Sequence, residues 1–149
     1  MSEFLIDTNI LVYPYDPRDH DKQRQAQIIL ERLVGEGVAV LSVQCLTEFF
    51  RAVRWRLAEP LTLEQALLRI ERFVANCRVL PLTPSAALDA FRAYERYSMS
   101  FWDSLIWAVA KEGDVPYLLT EDFDHGATVE GVQFLNPFAE SFDLAPLMA

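Results

Sequence analysis

Four acidic residues stand out for where they fall along the chain. Asp7 directly follows the apolar triplet Phe4-Leu5-Ile6, and Asp122 follows the run Tyr117-Leu118-Leu119-Thr120-Glu121. Glu48 lies just after the valine-rich stretch Val38–Leu41, and Asp103 follows Ser100 at a helix start. Two carboxylates about 4 Å apart repel by roughly 4 kcal/mol at an effective dielectric near 20. Four in one cleft would raise their pKa values and strain the fold, a penalty that a divalent cation removes. An oxygen-only donor set suits Mg²⁺ or Mn²⁺ rather than zinc. The chain has only His20 and His125, and neither makes a zinc-type spacing with Cys45 or Cys77. A metal held by carboxylates activates water and stabilises the attacking and leaving oxygens of an in-line phosphodiester displacement. With five glycines and no Gly-rich phosphate cradle, nucleotide triphosphate hydrolysis is disfavoured and phosphodiester hydrolysis favoured.

For these acids to meet, the elements carrying them must share an edge. Short apolar runs alternate with helical periods, which predicts strands at Phe4–Ile6, Val38–Leu41, Val79–Leu82, Tyr117–Leu119 and Val132–Leu135. Pro81 suits an edge position for the third. Helices are predicted over Gln23–Val34, from Ser42 to about Leu57, from the capping box Thr62-Leu63-Glu64-Gln65, from Thr83-Pro84, and from Ser100. Their buried stripes are expected to be Leu46, Phe49, Phe50, Val53 and Leu57; then Leu63, Leu67, Ile70 and Val74; and Trp102, Leu105, Ile106 and Val109. The tail, with Pro137 and Pro146, reads as irregular. The expected fold class is α/β: residues 1–149 as one domain, with a central parallel sheet of about five strands flanked by helices on both faces. In such sheets reactive groups gather beyond the carboxyl ends of the strands.

Each acid also has a plainer reading. Asp7 can be an N-cap, Asp103 the N3 partner of a Ser100 capping box, Asp122 a turn residue and Glu48 a solvated helix charge. Asp16, Asp19 and Asp21 around His20 read as a solvated loop rather than a second metal site. The 149 residues carry 22 acids against 13 bases, a formal net charge of −9, so a general affinity for polyanions is not expected. Any nucleic-acid contact must come from a local basic patch. Arg51, Arg54, Trp55 and Arg56 follow Glu48, and by helical angle Arg51 and Trp55 share its side. They are candidates for RNA or partner-protein contact, against the alternative of a solvated face. No apolar run is long enough for a membrane span, and no basic region precedes the first apolar stretch. With only two cysteines, reduced core thiols and a cytoplasmic location are expected.

At these residues the chain resembles the PIN-domain ribonucleases, and among them the VapC-type toxins of toxin–antitoxin pairs. The matching motifs are Leu5-Ile6-Asp7-Thr8-Asn9-Ile10-Leu11, Ser42-Val43-Gln44 leading to Glu48-Phe49, Ser100-Phe101-Trp102-Asp103-Ser104-Leu105-Ile106 and Leu119-Thr120-Glu121-Asp122. The likeness runs on to Leu135-Asn136-Pro137-Phe138. The resemblance implies that Asp7, Glu48, Asp103 and Asp122 bind Mg²⁺ or Mn²⁺ and that Thr8 orients the first acid. It also implies RNA cleavage, a homodimer, and an antitoxin lying across the cleft. At the fourth position Glu121, Asp122 and Asp124 compete, and Asp122 is preferred because it stands two residues after Thr120.

The same motifs admit an RNA-processing nuclease that is not a toxin. A phosphoryl-accepting receiver or phosphatase-like domain is a further alternative on a similar sheet. It lacks support here, since Thr8 and Asn9 follow Asp7 where a second acid would be needed, and Lys111 precedes the late strand.

Overall fold

The computed structural model describes residues 1–148. In chain order the elements are β1 (Phe4–Ile6), α1 (Thr8–Val12), α2 (His20–Gly35), β2 (Ala39–Ser42), α3 (Val43–Trp55), α4 (Leu63–Asn76), β3 (Arg78–Leu80), α5 (Pro84–Tyr97), α6 (Phe101–Glu112), β4 (Tyr117–Leu119), β5 (Thr128–Val129) and β6 (Val132–Leu135). The sheet order is β3-β2-β1-β4-β6-β5. All neighbours are parallel except β5 and β6, and Leu5 is in register with Val40 on one side and Leu118 on the other. β1 and β2 are buried along their whole lengths, which is why they read as unbroken apolar runs rather than alternating ones.

The helix starts follow their capping chemistry. Ser42, Thr83 and Ser100 each accept a backbone N–H with the side-chain oxygen, and Thr62 and Gln65 form the full capping box. α2 begins three residues before the apolar period suggests, because Asp19 caps it. Ser98 ends α5 in the left-handed region, and the Thr83 hydroxyl donates to Glu112 at 2.7 Å, so α5 and α6 run antiparallel.

Four expectations need correction. The sheet has a sixth strand, β5, joined to β6 by Glu130-Gly131, both at positive φ (47° and 88°). That is the backbone of a two-residue hairpin turn, and a glutamate in it disguises the signal. α4 is rotated from the expected stripe: Ala66 is buried and Ile70 and Phe73 pack on the core, while Leu63, Leu67 and Val74 are exposed. Both rows are apolar, so periodicity alone does not say which one faces inward. Trp102 is 61% exposed, whereas Leu105, Ile106 and Val109 are buried as expected. The tail is partly ordered, ending in a 3₁₀ turn over Ala145–Met148 with Leu144 and Met148 buried. β3 does sit at the sheet edge, immediately before Pro81.

Candidate active site

The strand order reverses direction between β1 and β4, so the crevice beyond their carboxyl ends is the topological switch point of the sheet. Asp7 follows β1 and Asp122 follows β4, and the N-terminus of α6 brings Asp103 to the same place. One carboxylate oxygen from each of Asp7, Asp103 and Asp122 lies within 4.8 Å of the others. These three acids line a single cleft with Glu48, Thr8, Gln44, Arg51, Arg56 and Trp102.

Asp7 is the most constrained of the three. Its Oδ1 accepts the Thr8 backbone N–H at 2.7 Å, and its Oδ2 accepts the Thr120 hydroxyl at 2.9 Å. Its own N–H donates to the Leu119 carbonyl at 3.0 Å, tying β1 to β4 at the site. The capping role and the site role of Asp7 are therefore compatible. Burial pushes its pKa up from 3.8 to about 7; the Thr120 and Thr8 hydrogen bonds oppose the rise, and the Asp122 and Asp103 charges add to it. Asp122 is also raised, first by burial and then by the Asp103 and Glu121 charges.

Glu48 lies in the cleft but outside the group of three. Its Oε2 accepts the Thr8 hydroxyl at 2.7 Å and its Oε1 accepts the Gln44 amide at 3.0 Å. The Thr8 hydroxyl thus orients Glu48, not Asp7; the hydroxyl that orients Asp7 belongs to Thr120. Thr120 is fully buried and also accepts the Asp122 N–H at 3.2 Å, so it couples two acids of the site. Its position two residues before Asp122 was the available signal.

The neighbours of Asp122 explain why it, and not an adjacent acid, reaches the cleft. Glu121 turns away to accept from the Tyr13 hydroxyl and, at 2.7 Å, from Lys22 Nζ. Phe123 stacks on Phe134, with ring centroids 4.0 Å apart. Asp124 does not line the cleft. Clamping on both sides leaves the Asp122 carboxylate facing the other two.

The basic residues after Glu48 separate by role. Arg51 and Arg56 line the cleft. Arg54 donates to the Leu61 carbonyl at 2.9 Å and serves the fold. Trp55 is 65% exposed but outside the cleft, set edge-on to Phe50. Asp16 is buried rather than solvated, held by Arg18 at 2.7 Å. Cys45 is a buried free thiol whose pKa burial pushes up to about 12, so it is inert at neutral pH.

The donors of the cluster are carboxylate oxygens, and no histidine or cysteine belongs to it. That set fits a hard divalent cation, and the burial that raises Asp7's pKa disfavours its bare charge.

A family model described as PIN domain matches residues 4–130. No curated protein matches the sequence. Among solved structures, the chain is similar to one described as a toxin–antitoxin complex from Klebsiella pneumoniae: 19% identity, TM-score 0.64, covering 91% of this chain and 98% of that one. It is also similar to VapC20 of Mycobacterium tuberculosis, described as a sarcin–ricin loop cleaving toxin, at 19% identity and TM-score 0.60, covering 82% and 90%. FitAcB from Neisseria gonorrhoeae aligns at 22% identity and TM-score 0.61, covering 91% and 98%. At these identities the likeness is one of fold. Receiver domains place their first strand between the second and third, whereas here β1 lies between β2 and β4.

Proposed function

The chain belongs to the PIN domain family, and from that premise we propose that it is a Mg²⁺- or Mn²⁺-dependent endoribonuclease acting as the toxin of a toxin–antitoxin pair. The observation that carries the reading is the convergence of Asp7, Asp103 and Asp122 within 4.8 Å at the sheet's switch point. Those three acids would hold the cation, with Glu48 as the fourth acid of the cleft. Once bound, the ion supplies a water nucleophile at neutral pH and neutralises charge on the phosphate.

The chain's own residues supply position. Thr120 fixes Asp7 and the start of the Asp122 loop, and Thr8 and Gln44 fix Glu48. Arg51 and Arg56 offer cations to the RNA backbone in a molecule that is otherwise acidic. The toxin assignment draws on the solved neighbours described as toxins or toxin–antitoxin complexes. It also draws on apolar surface that a monomer leaves uncovered. Leu63, Leu67 and Val74 on α4, with Trp55 at the end of α3, suit an antitoxin; Leu88, Phe91 and Tyr94 on α5 suit a second copy in a homodimer. Such a protein acts in the cytoplasm, where its RNA and antitoxin are.

The test is cleavage of an RNA panel by the purified chain with Mg²⁺, with Mn²⁺ and with EDTA, alongside Asp7→Asn and Asp103→Asn. Cleavage should need the metal and fall at least a hundredfold in either variant. Metal-independent cleavage, or none by the wild type, refutes the reading. Light scattering that finds only monomer at micromolar concentration removes the second copy.

A further inference from the structure

Trp102 stands immediately before Asp103 in the first turn of α6 and lines the same cleft as the acids. Its indole is 61% exposed, a large apolar ring left in water beside the site. The ring is nonetheless buttressed. Phe101 meets it edge-on with centroids 5.1 Å apart, and Phe101 itself stacks on Phe91 at 6.2 Å. Arg51 and Arg56 line the same cleft, and neither makes an ion pair among the described residues.

One cleft therefore holds acids for a phosphodiester, free guanidinium groups for neighbouring phosphates, and a supported aromatic plane. Cations that track a backbone, combined with an aromatic ring for a base, are how proteins hold single-stranded nucleic acid. A base inside a duplex is stacked on both faces and has none to offer, so only an unpaired base can use the ring. We propose that Trp102 is the stacking platform for one unpaired nucleobase of the RNA substrate, close to the bond that is cut. The proposal rests on the ribonuclease reading and narrows its substrate to an unpaired segment.

The test is a cycle between protein and RNA. An unstructured fluorescein-labelled octamer is compared with octamers carrying an abasic ribose at each position in turn. Binding is read by anisotropy in the Asp7→Asn background with Mg²⁺, and cleavage as kcat and KM in the active chain. With Trp102 present, one abasic position should weaken binding about tenfold, within the range seen for base–aromatic stacking. Trp102→Ala should lose about the same factor on the intact octamer, mainly in KM, and become indifferent to the abasic position. Trp102→Phe should restore most of the loss.

The proposal is overturned if no abasic position matters to the wild type, or if Trp102→Ala keeps the full abasic penalty. It is also overturned if Trp102→Ala turns a dimer into a monomer while the abasic penalty persists, which would assign the ring to a second copy. In each of these cases the wild type still cleaves RNA, so the ribonuclease reading survives. Failure of that reading shows instead as a wild type that neither binds nor cuts any octamer.

Discussion

At the residue scale, the proposed chemistry depends on keeping three carboxylates together in one cleft. Asp7 shows a cost of the site: burial first, with the Asp122 and Asp103 charges adding to it, lifts its pKa from an ordinary 3.8 to about 7. The folded chain holds a proton there that the unfolded chain has already released, so in this interval stability falls as pH rises. In EDTA the melting temperature should climb as pH is lowered from about 8 to about 5, and Asp7→Asn should flatten that slope. An unchanged slope in the variant would mean that Asp7 is not the titrating group. A cation competes with the same proton, so Mg²⁺ affinity should strengthen toward higher pH. Thr120 is the second decisive residue, since its buried hydroxyl serves both Asp7 and the Asp122 backbone. Thr120→Val should reduce kcat by about 10- to 100-fold, the worth of a lost hydrogen bond to a charged group, while Thr120→Ser retains most activity. Equal activity in the two variants would show the hydroxyl to be dispensable.

At the element scale, the loop after β4 decides which acid enters the cleft. Lys22 on α2 and Tyr13 hold Glu121, and the Phe123–Phe134 stack holds the other side. Lys22→Met should therefore weaken Mn²⁺ binding several-fold, measured by calorimetry, with the fold intact by circular dichroism. Wild-type Mn²⁺ affinity in that variant would show that the Lys22–Glu121 pair does not position Asp122. The hairpin of β5 and β6 is stabilised in a similar way. Glu130 sits at φ 47°, costly for a residue with a side chain, and is held by the Tyr97 hydroxyl at 2.8 Å and Lys111 at 3.2 Å. Those partners lie 33 and 19 residues away, so a local reading of the chain misses the turn.

At the scale of the whole molecule, one buried core carries a site whose charges work against folding. On the proposed reading, binding a cation there has a global consequence. Saturating Mg²⁺ at about 100 times its dissociation constant should add roughly 2.7 kcal/mol of stability to the wild type. Asp103→Asn should lose most of that gain, read as the metal-induced shift in Tm; an undiminished shift would place the ion elsewhere. The chain's net charge of −9 gives no general attraction for a polyanion, so the proposed RNA contact calls on local cations such as Arg51 and Arg56 in the cleft.

By itself the sequence determined the alternating α/β plan, the helix caps and the acids at the strand ends, because each depends on neighbours a few residues apart. The choice of Asp122 over Glu121 and Asp124 comes from the resemblance, whose motif has the acid two residues after Thr120. Tertiary structure alone decided that Thr8 serves Glu48 while Thr120 serves Asp7, since those hydrogen bonds cross 40 and 113 residues. It likewise decided which apolar row of α4 is buried and that Trp102 faces water. Periodicity marks a row as apolar, but whether that row is covered depends on what the rest of the chain, or a partner, brings against it.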